Sequence, residues 1–264
     1  MISIERIERV LEKHPNLVKS ITDLGVGYDK KYIVKTLLYL ANNFVLVSDH
    51  DGVIRDTDEV KDACLIAFCI FIWGELIDKT ELPTDIHRRM HGLPMGKIFV
   101  EIAEKCYNKK ISREEGELVT KQLNDYIRPE YIKRKVYDGA VEFLSILKEI
   151  GMPCYILTGM EPDMIEDGLK YHKIEHLFDG ILGAPKTKAE NLNELLQKYP
   201  GRRLLGTGNA LSEYKATYAH KGTIFLAFCF DGKNVFPEDV NVLNSYGVDP
   251  WLELFWQLGN LTTK

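Results

Sequence analysis

Short apolar runs, each closed by a polar or glycine-rich turn, recur along this chain at residues 44–47, 154–157, 180–182, 204–205 and 223–230. None of them alternates polar with apolar residues. A strand with one face in water does alternate, so runs of this kind predict strands covered on both faces, as in a parallel sheet. Helical patterns lie between the later runs. Val141, Phe143, Leu144, Leu147 and Ile150 fall near one face of a helix that Gly151 and Pro153 stop, and Leu192, Leu195 and Leu196 mark another before Pro200. Strands alternating with helices predict an α/β fold with right-handed crossovers.

The interval between the first two runs breaks that rhythm. From Asp49 to Cys154 is 105 residues, far more than a crossover needs. The stretch 58–134 reads as helices, an apolar one around 64–77 and others near 97–106 and 114–126. It is expected to form a helical subdomain inserted into the α/β core. Before the first strand, Ile4, Ile7, Val10 and Leu11 fit an amphipathic helix. The expected organisation is an extension over 1–42, a core from 43–57 and 135–264, and inserted helices over 58–134.

Charge and cysteine usage exclude several classes. Lys and Arg total 34 against 39 Asp and Glu, a net charge of −5, so bulk attraction to nucleic-acid phosphates is not expected. The longest apolar run, residues 63–74, falls short of the roughly 20 residues a membrane span needs. It is expected to be a buried helix, with no membrane partner. The five cysteines are odd in number and never spaced C-x-x-C, against a disulfide framework or structural zinc. The first nine residues are charged throughout, unlike a signal peptide. Cytoplasm is the expected location.

The sharpest local feature is Val45-Leu-Val-Ser-Asp49-His-Asp51-Gly52. An apolar strand delivers two carboxylates, two residues apart, into a glycine turn. Open α/β sheets place their sites at the carboxyl ends of strands. Two acids held close cannot ionise equally easily, so one stays a carboxylate while the other can donate a proton. That suits a nucleophile beside a general acid/base. Alone, such a turn is more often solvated punctuation; partners at other strand ends give it weight. Thr158-Gly159 offers a hydroxyl and backbone N–H groups after the second strand, either a phosphate cradle or an ordinary helix cap. Lys186 and Lys188 follow the third strand, and Gly208-Asn209 with Glu213 follows the fourth. His172-Lys-Ile-Glu175-His176 matches a zinc-protease pattern, but it lies at a helix end and is read as chance. His50, pointing away from the two acids, is read as packing or a supporting hydrogen bond.

Together these residues resemble the haloacid dehalogenase-like superfamily, mostly phosphohydrolases. The match is to its branch with a helical cap between the first and second motifs, which has phosphoglycolate phosphatase-like and β-phosphoglucomutase-like members. The resemblance spans residues 43 to 230 with four motifs in order: Asp49-His-Asp51-Gly52-Val53 with Asp56-Thr57, then 136–139 through Leu157-Thr158-Gly159, then a lysine, then Gly208-Asn209-x-x-x-Glu213. Lys188 fits the lysine best and Lys186 is second.

The resemblance implies a Rossmann-like parallel sheet core with an inserted helical cap. It also implies a Mg²⁺-dependent phosphatase acting on a small phosphorylated metabolite. Asp49 would be the nucleophile that forms an aspartyl-phosphate, and Asp51 the general acid and base. Thr158, Gly159 and Lys188 or Lys186 would hold the phosphoryl oxygens. Mg²⁺ would take Asp49, the Asp51 carbonyl and Asn209, with Glu213 in the fourth motif. Arg89 and His91, in the cap's most basic stretch, sit where the family has its specificity loop, though for either one alone a solvated surface residue is the slightly commoner reading. The family usually carries aspartates where Asn209 and Glu213 stand here, which implies weaker Mg²⁺ binding. A degenerate binding or regulatory protein is the second reading. A phosphomutase of the same fold stays open, and a dehalogenase is disfavoured because Asp51 is present.

Overall fold

The computed structural model describes residues 2–23, 29–77, 80–90, 95–137, 139–229, 235–238, 240–244 and 251. Three helices come first: α1 (Ile4–Lys13), α2 (Pro15–Asp23) and α3 (Lys30–Asn43). The chain then enters β1 (Phe44–Ser48). Four helices separate β1 from the next helix-strand pair: α4 (Asp58–Trp73), α5 (Pro83–Arg89), α6 (Met95–Tyr107) and α7 (Arg113–Tyr131). Strictly alternating elements follow: α8 (Ala140–Ile150), β2 (Cys154–Leu157), α9 (Pro162–Tyr171), β3 (Gly180–Leu182), α10 (Lys188–Lys198), β4 (Arg203–Gly208), α11 (Leu211–Tyr218) and β5 (Ile224–Cys229). A last strand is β6 (Asn241–Asn244).

The six strands form one sheet in the order β3-β2-β1-β4-β5-β6, every pair parallel. This is the α/β class read from the apolar runs, and the reason those runs lack alternation is visible. On β1, Phe44 and Leu46 join one core while Val45 and Val47 join another on the opposite face, with Leu192 and Leu195 of α10. Strand order reverses direction at β1, where β2 and β3 lie to one side and β4 to β6 to the other. In open α/β sheets the crevice at that reversal is where ligands bind.

The amino-terminal helices pack on the core. Ile7, Val10 and Leu11 are buried, and Arg6 donates from Nε and Nη2 to the Glu149 carbonyl at the end of α8. Trp251 is buried too, its indole N–H donating to the Val53 carbonyl at 3.1 Å.

One expectation is corrected. The apolar run ending at Gly74 is not wholly buried. Leu65, Phe68 and Cys69 face the core, but Ile70 and Phe71 are exposed, Phe71 at 78%. Hydropathy without a polar face cannot say which side of a helix has a neighbour. Among the described residues no helix is long and apolar enough to cross a membrane. Strand β6 was missed because four residues flanked by asparagines carry too little apolar signal. The zinc-protease pattern does not share a helix: α9 ends at Tyr171, and Glu175–Leu177 form a separate 3-10 turn.

Candidate active site

Asp49 leaves the end of β1 and is tied to the neighbouring strand, its N–H donating to the Thr207 carbonyl at 2.8 Å. Thr207 Oγ1 donates to Ser48 Oγ, and Ser48 Oγ to the Asp49 carbonyl, each at 2.8 Å. These buried hydroxyls lock the β1 and β4 ends together. Gly52 then turns the chain at φ +67°, a conformation that side chains with a Cβ rarely adopt.

Lys188 is the first residue of α10, placed there by a reciprocal cap. Thr187 Oγ1 accepts the Glu190 N–H at 3.2 Å, and the Glu190 carboxylate accepts the Thr187 N–H at 2.7 Å. Its ammonium lies 3.6 Å from Asp49 Oδ1 and pairs closely with Glu213 Oε1. Glu213, on α11, is 1% exposed. It also accepts from the Ala210 N–H at 3.0 Å and Ser212 Oγ at 2.6 Å. Gly208 permits this approach, since a Cβ there would lie 2.7 Å from that of Glu213. Burial alone would lower the Lys188 pKa, but the charges of Asp49 and Glu213 outweigh it and raise the group above its ordinary value. Lys188 is therefore a locked cation. Lys186, the other candidate, is exposed and pairs with Glu194 on the surface.

Asp51 is held by four donors. Its Oδ1 accepts from Tyr131 Oη at 2.5 Å, Thr57 Oγ1 at 2.7 Å and His50 Nδ1 at 3.1 Å, and its Oδ2 pairs with Lys61 Nζ at 3.0 Å. His50 Nδ1 also lies 3.1 Å from Tyr131 Oη, and the buried Nε2 has no hydrogen-bond partner among the described residues. Tyr131 is itself anchored by buried Arg55, whose Nη2 donates to the Tyr131 carbonyl at 2.5 Å and the Arg134 carbonyl at 2.9 Å.

The two carboxylates titrate in opposite directions, as expected of a close pair, but the assignment is the reverse of what their implied roles suggest. Burial pushes Asp49 well above the usual carboxylate range, with Glu213 and Asp51 adding to it and Lys188 opposing. Burial would raise Asp51 as well, yet Lys61 and the hydrogen bonds from His50 and Tyr131 hold it well below. Lys188 pairs most closely with Glu213 and stands 3.6 Å from Asp49, while Lys61, though shared with Asp58, makes its hydrogen bond to Asp51, and Tyr131 donates to the same carboxylate. Neither Lys61 nor Tyr131 was a candidate from sequence. Lys61 looked like an ordinary polar residue in the first turns of α4, and Tyr131 lies 80 residues from Asp51.

The remaining candidates are dispersed. Thr158 is buried just past β2, its N–H bonded to the Leu182 carbonyl at 2.9 Å and its Oγ1 accepting the Met160 N–H at 3.1 Å. Gly159 beside it faces open space, where a Cβ would touch nothing within 4 Å. Arg89 is half exposed on α5 and pairs with Glu81 and Glu101. His91 lies outside the described residues.

Among the described residues no three His, Cys, Asp or Glu side chains gather as a ready-made metal cage. Mg²⁺ does not need one, because it retains several waters and takes one or two carboxylates with other oxygens. The donor set here has that character. It comprises the Asp49 carboxylate, the Asp51 carbonyl, which accepts none of the described backbone hydrogen bonds, and the Asn209 amide. The space above Gly52 is occupied by side chains rather than filled by a Cβ: a Cβ there would lie 2.1 Å from Asn209 Nδ2 and 2.4 Å from Asp58 Oδ2. Glu213 is already committed to Lys188. The residues fit a Mg²⁺ held by few protein ligands.

Comparison with solved structures finds the same fold in several bacterial and protozoan proteins. One described as a predicted phosphoglycolate phosphatase from Haemophilus somnus is 17% identical with a TM-score of 0.63, covering 83% of this chain and 99% of its own. A HAD hydrolase, family IA, variant 3, from Entamoeba histolytica is 14% identical at TM-score 0.63, covering 81% and 99%. A predicted phosphatase from Clostridium acetobutylicum is 18% identical at TM-score 0.55, covering 70% and 84%. No curated protein matches the sequence. The family model for haloacid dehalogenase-like hydrolases matches residues 45–206, which runs from the strand that delivers Asp49 to the strand that carries Asn209. With more than half its length matched and the strand order to go with it, the chain belongs to the haloacid dehalogenase-like hydrolase family.

Proposed function

We propose that this hydrolase is a Mg²⁺-dependent phosphatase acting on a small phosphorylated metabolite through an aspartyl-phosphate on Asp49. The observation that carries the reading is the buried Lys188 ammonium beside Asp49, held there by Glu213. Phosphoryl transfer is mainly positioning and charge neutralisation, and a fixed cation next to a carboxylate nucleophile supplies both. The neighbours named as phosphatases point the same way.

In the proposed reaction an Asp49 carboxylate oxygen attacks phosphorus in line. The bond to the leaving oxygen breaks, and that oxygen takes a proton from Asp51. Asp51 then removes a proton from the water that attacks the phosphorus of the intermediate, releasing phosphate and restoring Asp49. Lys188, the Thr158 hydroxyl and the Gly159 N–H are proposed to hold the phosphoryl oxygens. Mg²⁺, held by Asp49, the Asp51 carbonyl and Asn209, would draw charge from those oxygens when bound. Helices α4 to α7 are proposed to act as a cap that excludes water. For Arg89 to meet a leaving group it would have to release Glu81 and Glu101.

The test is phosphate release from a panel of phosphomonoesters with millimolar Mg²⁺. Turnover that disappears with chelator supports the reading. No turnover, with phosphate still bound, favours the second reading: a binding module, for which the neutral Asn209 and the firmly ionised Asp51 speak.

The Asp51 lock makes a further expectation. Leaving-group protonation needs Asp51 to carry a proton, and Lys61 holds its pKa down. Lys61→Met removes that cation, so the Asp51 pKa rises and the high-pH fall of kcat/KM moves to higher pH. The shift should appear with an alkyl phosphate and be absent with p-nitrophenyl phosphate, whose leaving group needs no proton. Identical profiles for both enzymes on the alkyl ester would refute the role.

A further inference from the structure

Asn209 stands where the family usually places an acid, so the proposed cation site is short of one negative charge. The structure brings a carboxylate to that spot from another element. Asn209 Nδ2 donates to Asp58 Oδ2 at 3.2 Å, and both groups crowd the same position over Gly52, against the peptide whose Asp51 carbonyl belongs to the donor set. Asp58 sits in the first turn of α4, directly after Thr57, which donates to Asp51.

The hydrogen bond orients the amide. The NH₂ and the carbonyl oxygen of a side-chain amide diverge from one carbon, so an NH₂ engaged with Asp58 turns the oxygen away from it and leaves that oxygen for a cation. Asp58 accepts that bond through one oxygen of its carboxyl group. Groups that orient a metal ligand in this way commonly govern the affinity of the site.

We propose that Asp58 is a positioning residue of the cation site, presenting the Asn209 carbonyl to Mg²⁺ and returning the negative charge that Asn209 lacks. The inference rests on the Mg²⁺ reading above. A simpler role exists for Asp58, since acids in a first helical turn complement the helix dipole. Glu59 occupies the same turn with the same charge, 88% exposed, and serves as the control.

The experiment is calorimetric titration of the full chain with Mg²⁺ alone, without substrate. Asp58→Asn should weaken binding by about 10- to 100-fold, the range for loss of a partner that orients a ligand, while Glu59→Gln should leave it nearly unchanged. The double exchange Asp58→Asn with Asn209→Asp restores one acid and one amide in swapped places. Measured against Asn209→Asp alone, the same Asp58→Asn change should then cost little affinity, because an acid already stands at 209; an equal loss in both backgrounds would overturn the pairing. If wild type binds Mg²⁺ and Asp58→Asn binds it equally well, this inference fails while the Mg²⁺ reading stands. Equal losses for Asp58→Asn and Glu59→Gln would assign the effect to the helix end and overturn it as well. If wild type takes up no Mg²⁺ at millimolar concentration, the Mg²⁺ reading falls and the inference with it.

Discussion

Asp49→Asn is expected to abolish turnover while making the protein more stable. Loss of a nucleophile in a hydrolase that works through a covalent intermediate costs on the order of 10⁴-fold or more. The stability side follows from the raised Asp49 pKa, whose first cause is burial. An acid with a folded pKa above its unfolded value costs nothing at low pH, where both states are protonated. As pH rises past the unfolded pKa, the unfolded state gains by ionising first, and stability falls until the folded pKa is passed. At neutral pH without a bound metal ion, the wild type carries the cost of that raised pKa and the asparagine variant does not. Each kcal/mol relieved should raise Tm by about 2–4 °C for a chain in this size range. Melting both proteins in chelator at pH 7 and again near pH 4 checks this: the gain should be larger at pH 7. A variant that melts lower than wild type at pH 7 would mean that the Asp49–Lys188 attraction outweighs desolvation.

Lys188→Met should have the opposite balance, losing both activity and fold stability. It leaves Asp49 and Glu213 buried with no shared cation, and breaking a buried charge network by removing one partner typically costs about 3–5 kcal/mol. Both carboxyls then rise in pKa, so the deficit should grow with pH above about 4 and shrink on acidification, where protonation removes the stranded charges. Chemical denaturation at several pH values measures it. Adding Glu213→Gln to Lys188→Met should recover part of the loss, because one of the two stranded charges is gone. The corresponding Lys186→Met should change stability by less than about 0.5 kcal/mol, as expected for an exposed surface pair. If Lys186→Met proved the more damaging of the two, Lys188 would not be the anchor of the site.

These expectations separate what could be read in the sequence from what could not. The acid pair was legible because its placement is local: an apolar run makes β1, and the residues that follow emerge at its end. The preference for Lys188 over Lys186 was legible only in part, since both follow β3 two residues apart and the sequence shows which of them opens a helix but not what each one faces. The placement of Lys188 beside Asp49 follows from the Thr187 cap, which starts α10 at Lys188, and from α11, which brings Glu213 against it. Lys61 and Tyr131 were invisible for a different reason. Each sits on a helix whose pattern reports only which face is buried, and their convergence on Asp51 exists only after α4 and α7 pack.

By itself, then, the sequence determined the parallel α/β sheet, the family, and the strand end at which the two acids emerge, because apolar runs and turn residues act over a few positions. Tertiary structure alone decided how charge is distributed there. Which carboxylate is held ionised, which lysine faces Asp49, and which acid stands beside Asn209 depend on through-space distances between groups in some cases more than 150 residues apart, and electrostatic coupling answers to distance and burial rather than to order along the chain.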